Sequence, residues 1–231
     1  MSLNLQKISI LCLSYCILLL SSTLKFSMIV GKSFAYFSVI FFVVPLLGAF
    51  FGGAQAIIIT TFALATKVIL TSYPITGGIP TLLAVTAWST HTQFVSKQTL
   101  ASHLGYFLTM AALPASCMAL FMTHPTVGQG FFYALYWLIP IVFYAAHIFF
   151  RRSSTFTVAL STTFIAHAVG STIWLFTVPM KPEQWIALMP VVAVERLIIA
   201  SGMTLLFFVV QKIASTKFLF LKKQFLFNSH R

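Results

Sequence analysis

Long apolar stretches alternate along the chain with short polar or Gly/Pro-rich breaks. Apolar runs cover residues 8–24, 34–50, 54–71, 104–122, 131–150, 155–178 and 185–210, with a shorter one at 81–89. About 20 mostly apolar residues carry an α-helix across the hydrocarbon core of a bilayer. The pattern therefore predicts an all-α, polytopic transmembrane helix bundle of about six to seven spanning helices, forming one membrane domain over 1–231. Run 81–89 is too short to cross alone. It follows the turn signal Ser72-Tyr73-Pro74-Ile75-Thr76-Gly77-Gly78-Ile79-Pro80, which marks 74–90 as a re-entrant or interfacial segment, or the turn as a plain connection outside the membrane. The polar stretch that follows, holding His91, Lys97 and His103, reads as a loop. Seven crossings is the preferred count; eight follow if 79–94 also crosses, and six if the first run is removed.

The first run has the length and the preceding Lys7 of a signal-peptide core. Further hydrophobic spans follow it at once, so retention as a signal-anchor helix over 8–24 is preferred to cleavage. Gly52-Gly53 leaves almost no loop between the second and third runs, and a tight hairpin is expected there. Four prolines, Pro45, Pro114, Pro140 and Pro190, fall inside runs. They read as ordinary kinks, tolerated where neighbours satisfy the freed carbonyls, or as gating points. Small residues recur every fourth position at Gly48, Gly52 and Ala56 and again at Ala111, Ala115 and Ala119, a spacing that lets helix backbones approach closely within the bundle or against a partner subunit.

Composition removes the alternatives. The chain is 59% hydrophobic and 7% charged, where a soluble domain carries about 25% charged residues. Too few charges remain to cover a water-facing surface, and the hydrophobicity is too high for a disordered chain. Net charge is +12, from 14 Lys and Arg against 2 acidic residues. The basic residues stand singly between apolar runs or gather in the tail, so they read as topology determinants and contacts for anionic lipid, not as a nucleic-acid surface. A basic cytoplasmic tail over 212–231 places Arg151-Arg152 and Lys97 inside as well. With seven crossings Lys25 and Lys32 are also inside and the N-terminus is outside. Cys12, Cys16 and Cys117 form no CxxC or Cys/His cluster, and neither a metal site nor a cofactor is expected.

Polar groups inside the apolar runs carry the chemistry, because a charge at the centre of a membrane helix costs about 2.5–3.5 kcal/mol and normally faces a bundle interior or a cavity. Glu195 and Arg196 lie near the middle of the last run. Being adjacent, they point about 100° apart and read as members of an interhelical ion pair or as a substrate or proton site. Thr163, His167, Ser171 and Trp174 form one polar-aromatic stripe with Gly170 beside it, either a satisfied hydrogen-bonding face or a cavity lining. Lys67 snorkels to the interface or supplies the counter-charge for Glu195. Gln55, Thr60 and Thr66 are weaker candidates, and His147 reads as interfacial. Trp88, Tyr133, Tyr136, Trp137 and Trp185, near run ends, read as an aromatic belt. The Tyr73–Thr81 element could line a transporter site, as broken helices do. No P-loop, GxSxG, HExxH or GxGxxG occurs, and the two glutamates stand too far apart for paired-carboxylate catalysis.

Helix number, chain length and the Thr76-Gly77-Gly78-Ile79-Pro80 element before a short apolar run resemble the S components of energy-coupling factor transporters, over roughly residues 34–212. The resemblance implies a small vitamin-binding membrane subunit that works with a membrane coupling subunit and ATPases. That family often carries an Ala-x-x-x-Ala contact motif on its first helix; here the spacing occurs at Ala111, Ala115 and Ala119, in mid-chain. The expectation is a small-molecule transporter, or its substrate-binding subunit, in a bacterial cytoplasmic membrane, with Glu195, Arg196, His167, Ser171, Trp174 and Lys67 around the solute. A structural or assembly membrane protein without a solute, or an intramembrane enzyme built on His167 and Glu195, are the alternatives.

Overall fold

The computed structural model describes residues 3–27, 36–71 and 77–228. Ser72 to Thr76 of the Gly/Pro element, Lys32 and Arg231 lie outside the described residues. The order is α1 (Leu3–Thr23), β1 (Lys25–Ser27), β2 (Tyr36–Ser38), α2 (Ile40–Phe51), α3 (Gly53–Thr71), α4 (Gly78–Lys97), α5 (Leu100–Phe107), a π-turn (Leu108–Ala112), α6 (Leu113–Met122), a 3-10 segment (Gly128–Trp137), α7 (Leu138–Phe150), α8 (Thr155–Thr177) and α9 (Pro182–Asn228). The two strands form a three-residue antiparallel ribbon with Phe26 opposite Phe37. The other elements among the described residues are helical, and the chain is an all-α bundle. Among the described residues five helical stretches, Gly53–Leu70, Leu100–Met122, Gly128–Phe150, Thr155–Thr177 and Pro182–Ser215, are long and apolar enough to cross a membrane. The protein is a multi-pass membrane protein.

Local chemistry sets the breaks. Gly52 separates α2 from α3 at φ 78°, a left-handed value that glycine adopts without a Cβ penalty. Ser154 and Thr157 cap α8 reciprocally. Pro114 cannot donate to the carbonyl of Met110; the helix widens just before it into the π-turn, and the Leu113 N–H reaches back to the Leu108 carbonyl. Alternation of direction follows from contacts at opposite ends. A Cβ on Gly53, at the start of α3, meets Gln93 near the end of α4, while one on Gly78, at the start of α4, meets Leu64 in the second half of α3. Gly48 lies so close to α4 that a Cβ there would sit 2.4 Å from the Val85 carbonyl oxygen, and Ser89 Oγ donates to the Gly48 carbonyl at 3.2 Å. Gly48 and the fully buried Ala56 thus serve packing within the bundle, whereas Ala115 and Ala119 face outward.

Two sequence expectations change. The first concerns α4. Residues 81–89 are the apolar middle of an unbroken helix of 20 residues, about 30 Å long. His91 and Lys97 belong to it, His103 belongs to α5, and only Gln98 and Thr99 lie between the two helices. Taking α5–α6 and the 3-10 segment with α7 as one rod each, the described residues form eight rods, one more than the preferred count of crossings. The hydropathy signal misses α4 because α2, α3, α5 and α8 pack against it, so that polar residues such as Ser89 and Thr90 bond to Gly48 and Thr109 of neighbouring elements. The second concerns the aromatic belt. Trp137, Trp185, Tyr133 and Trp88 are 0–3% exposed; with Phe121 they form the aromatic heart of the main core, rings meeting edge-on at 5.2 Å (Phe121–Trp185) and 5.6 Å (Phe121–Trp137). At the other end α9 continues as helix through the predicted tail to Asn228.

Candidate functional site

A cavity of about 430 Å³ lies between the first half of α4, the start of α2, the second half of α8 and the first half of α9. Its walls are mostly apolar, with Phe41, Val44 and Pro45 from α2 and Val191, Val192 and Ile199 from α9. Size and character match an ordinary small-molecule site: a concave, apolar pocket with a few convergent polar groups.

Two polar groupings line it. On α8, His167 and Ser171 are one turn apart and line the cavity together with Thr162, Thr163 and Gly170. Tyr133, from the 3-10 segment, completes this wall. Its hydroxyl lies 2.9 Å from His167 Nε2 and 3.1 Å from Ser171 Oγ. A tyrosine hydroxyl holds one hydrogen and can also accept, so Tyr133 donates to one neighbour while accepting from the other. The ring is locked from behind by Trp185, centroids 4.9 Å apart, and by Phe121 at 5.6 Å. Removal of the hydroxyl alone would leave that packing in place.

On α9, thirteen residues past Pro182 and so about 20 Å along the axis, Glu195 and Arg196 form an ion pair with each other. The expected pairing between helices is replaced by one between chain neighbours: the arginine is long enough to fold back across the 100° that separates them. Arg196 also reaches α8, where Nη1 donates to the Thr163 carbonyl at 3.4 Å. Both side chains are largely buried, yet both line the cavity. Arg196 Nε is buried without a hydrogen-bond partner.

Of the six residues singled out in the sequence, the structure brings five together. Glu195, Arg196, His167 and Ser171 line the interior. Trp174 lines the cavity while 53% exposed, which puts it at the rim. Lys67 is the exception: it is half-buried on α3 and is not part of the lining. Of the Gly/Pro element, Gly77, Pro80 and Thr81 also line the cavity. Sequence reasoning misses Tyr133, whose place near a run end suggested a membrane interface, and the α2 wall, whose Phe41, Val44 and Pro45 carry no polar signal. His147, expected at an interface, is buried and bonded to Tyr106, Oη to Nδ1 3.0 Å.

No family model matches the chain, and neither a curated protein nor a solved structure is detectably similar to it.

Proposed function

We propose that this protein binds and moves a small solute, as a transporter or as the solute-binding membrane subunit of one. The observation that carries the reading is the cavity itself. The mid-helix Glu–Arg pair and the Tyr133–His167–Ser171 node could each have been buried against neighbouring helices, and both instead border the same open volume. In lipid, ionisable groups at such depth are costly and are kept where they face a polar ligand or a water-filled path.

Orientation supports uptake. Lys97 and Arg151-Arg152 stand at the ends of α4 and α7, and Lys212 lies far along α9, all toward the end of the bundle away from the cavity rim at Trp174. Lys25, after α1, and Lys181, before α9, stand at the other end, so the expectation that Lys25 is inside changes with the eighth rod; the larger basic set marks the cytoplasmic end by the positive-inside rule, and the cavity faces the opposite side. A bacterial cytoplasmic membrane, and a coupling subunit with ATPases as the energy source, complete the proposal in line with the resemblance to energy-coupling S components.

Thermal-shift screening of the purified protein in detergent against vitamins and small metabolites tests it. At least one compound should raise the unfolding temperature, and Glu195→Gln or His167→Ala should abolish the shift while the protein stays monodisperse and helical. A folded sample that no compound stabilises, with variants that only lose abundance, would instead mark these groups as helix-holding elements of a structural protein.

A further inference from the structure

Resting on that reading, we propose that the cavity selects a solute with no net charge, one that presents a hydrogen-bond donor beside an acceptor on an apolar body. Three observations carry this. First, Glu195 and Arg196 are the formally charged residues of the lining among the described residues, and they cancel. An ionic solute would have to leave water for an apolar enclosure that offers no unpaired counter-charge, and burying a charge on those terms is strongly unfavourable. Second, the pair sets a carboxylate, which only accepts, beside a guanidinium, which only donates. The matching edge is one N–H next to one C=O, as in a primary amide or a lactam. A carboxylate offers two acceptors and repels Glu195; an amidinium offers two donors and repels Arg196. Third, Phe41, Val44, Pro45, Val191, Val192 and Ile199 line the volume beside the pair, which suits a hydrocarbon or ring body, and the other polar groups of the lining, Tyr133, His167 and Ser171 among them, are uncharged partners that favour no ion.

Three isosteres separate these cases: 2-naphthamide (neutral, donor beside acceptor), 2-naphthoate (anion) and 2-naphthamidine (cation), with naphthalene as the apolar control. Binding is measured on the full chain in detergent or nanodiscs by thermal shift and tryptophan fluorescence. The expected order places the amide about 60- to 300-fold tighter than either ion, the range that corresponds to burial of one uncompensated charge, and clearly above naphthalene. Glu195→Gln should move the anion to first place and Arg196→Gln should move the cation there. The two inversions are mirror images, so neither follows from a general loss of folding, and the wild-type order stands by itself if one variant fails to fold. A wild-type preference for either ion, or equal binding of naphthalene and the amide, overturns this inference and leaves a solute site. No binding of any of the four to folded protein overturns the solute site itself.

Discussion

Two tyrosine–histidine pairs sit in this bundle, and the contrast between them separates holding from binding. Tyr133 meets His167 at 2.9 Å, and Tyr106 meets His147 at 3.0 Å. The bonds are alike and their surroundings are not. Around Tyr106 the space is filled: Phe94 stacks on its ring at 4.7 Å, Tyr144 lies 5.2 Å away, and His91 lies 5.2 Å from His147. None of these residues lines the cavity. Around Tyr133 the aromatic packing stops on one side, and beyond its hydroxyl the cavity begins. The same helix serves both regions. The first half of α4 supplies Pro80, Thr81 and Ala84 to the cavity, and its second half supplies His91 and Phe94 to the packed cluster. A buried polar pair by itself therefore says little about function; what matters is whether protein or empty space lies on its far side.

The largest effect that sharpens this contrast is Phe94→Ala. Emptying a close-packed aromatic position costs about 3–5 kcal/mol, so the variant should unfold at a much lower temperature in detergent while the folded fraction keeps its affinity for the cavity probes. Phe41→Ala, which truncates a half-buried ring at the edge of a space already open, should cost less, about 1–2 kcal/mol, because the transfer term remains but little new void is added, and should also weaken probe binding. Equal destabilisation by the two substitutions would mean that the cavity is as tightly packed in solution as the cluster.

Hydroxyl removal gives a smaller and more selective comparison. Tyr106→Phe leaves the buried His147 short of a partner, at a cost of about 1–3 kcal/mol in stability, with no change in probe binding. Tyr133→Phe removes a group whose neighbours border the cavity, where water can replace the lost bond. Its stability should change by less than about 1 kcal/mol, while probe affinity falls about fivefold, as expected for one neutral hydrogen bond. Stability measured by thermal unfolding and affinity by fluorescence should thus respond to opposite members of the pair; identical responses would dissolve the distinction.

How much of this could be read from the sequence follows the same physics. Helices bordered by lipid announce themselves, because lipid demands apolar residues over a full span, as in the first part of α9; α8 is largely buried in the bundle and is legible because its hydropathy stays high throughout. The interior helix α4 does not announce itself, since protein neighbours relax that demand and admit Ser89, Thr90, His91 and Gln93. The site is legible where it is costly: Glu195, Arg196, His167 and Ser171 stand out because polar groups in an apolar run need a reason. Trp174 is legible only through its place on their stripe. The aromatic residues mislead for the converse reason, since Trp and Tyr near run ends suit a membrane interface and a bundle core equally well, and one-dimensional position cannot distinguish them. Tyr133 is invisible on those grounds, although it ties the two polar residues of α8 together.

Lys67 provides the finest test, because here the expected result is the absence of an effect. It shares with Arg196 a cationic group on an apolar helix, and its sequence position allows a role as the partner of Glu195. The structure gives Glu195 its neighbour Arg196 as partner and leaves Lys67 out of the cavity lining. Lys67→Met keeps most of the apolar stem and removes the charge, and should leave probe affinity within about twofold, a difference below about 0.5 kcal/mol. The order of the neutral, anionic and cationic isosteres should also stay as in the wild type. If Lys67→Met instead shifted preference toward the cation, as Arg196→Gln is expected to do, the lysine would belong to the electrostatics of the site, and the neutrality argued from the Glu195–Arg196 pair would have to include a third charge.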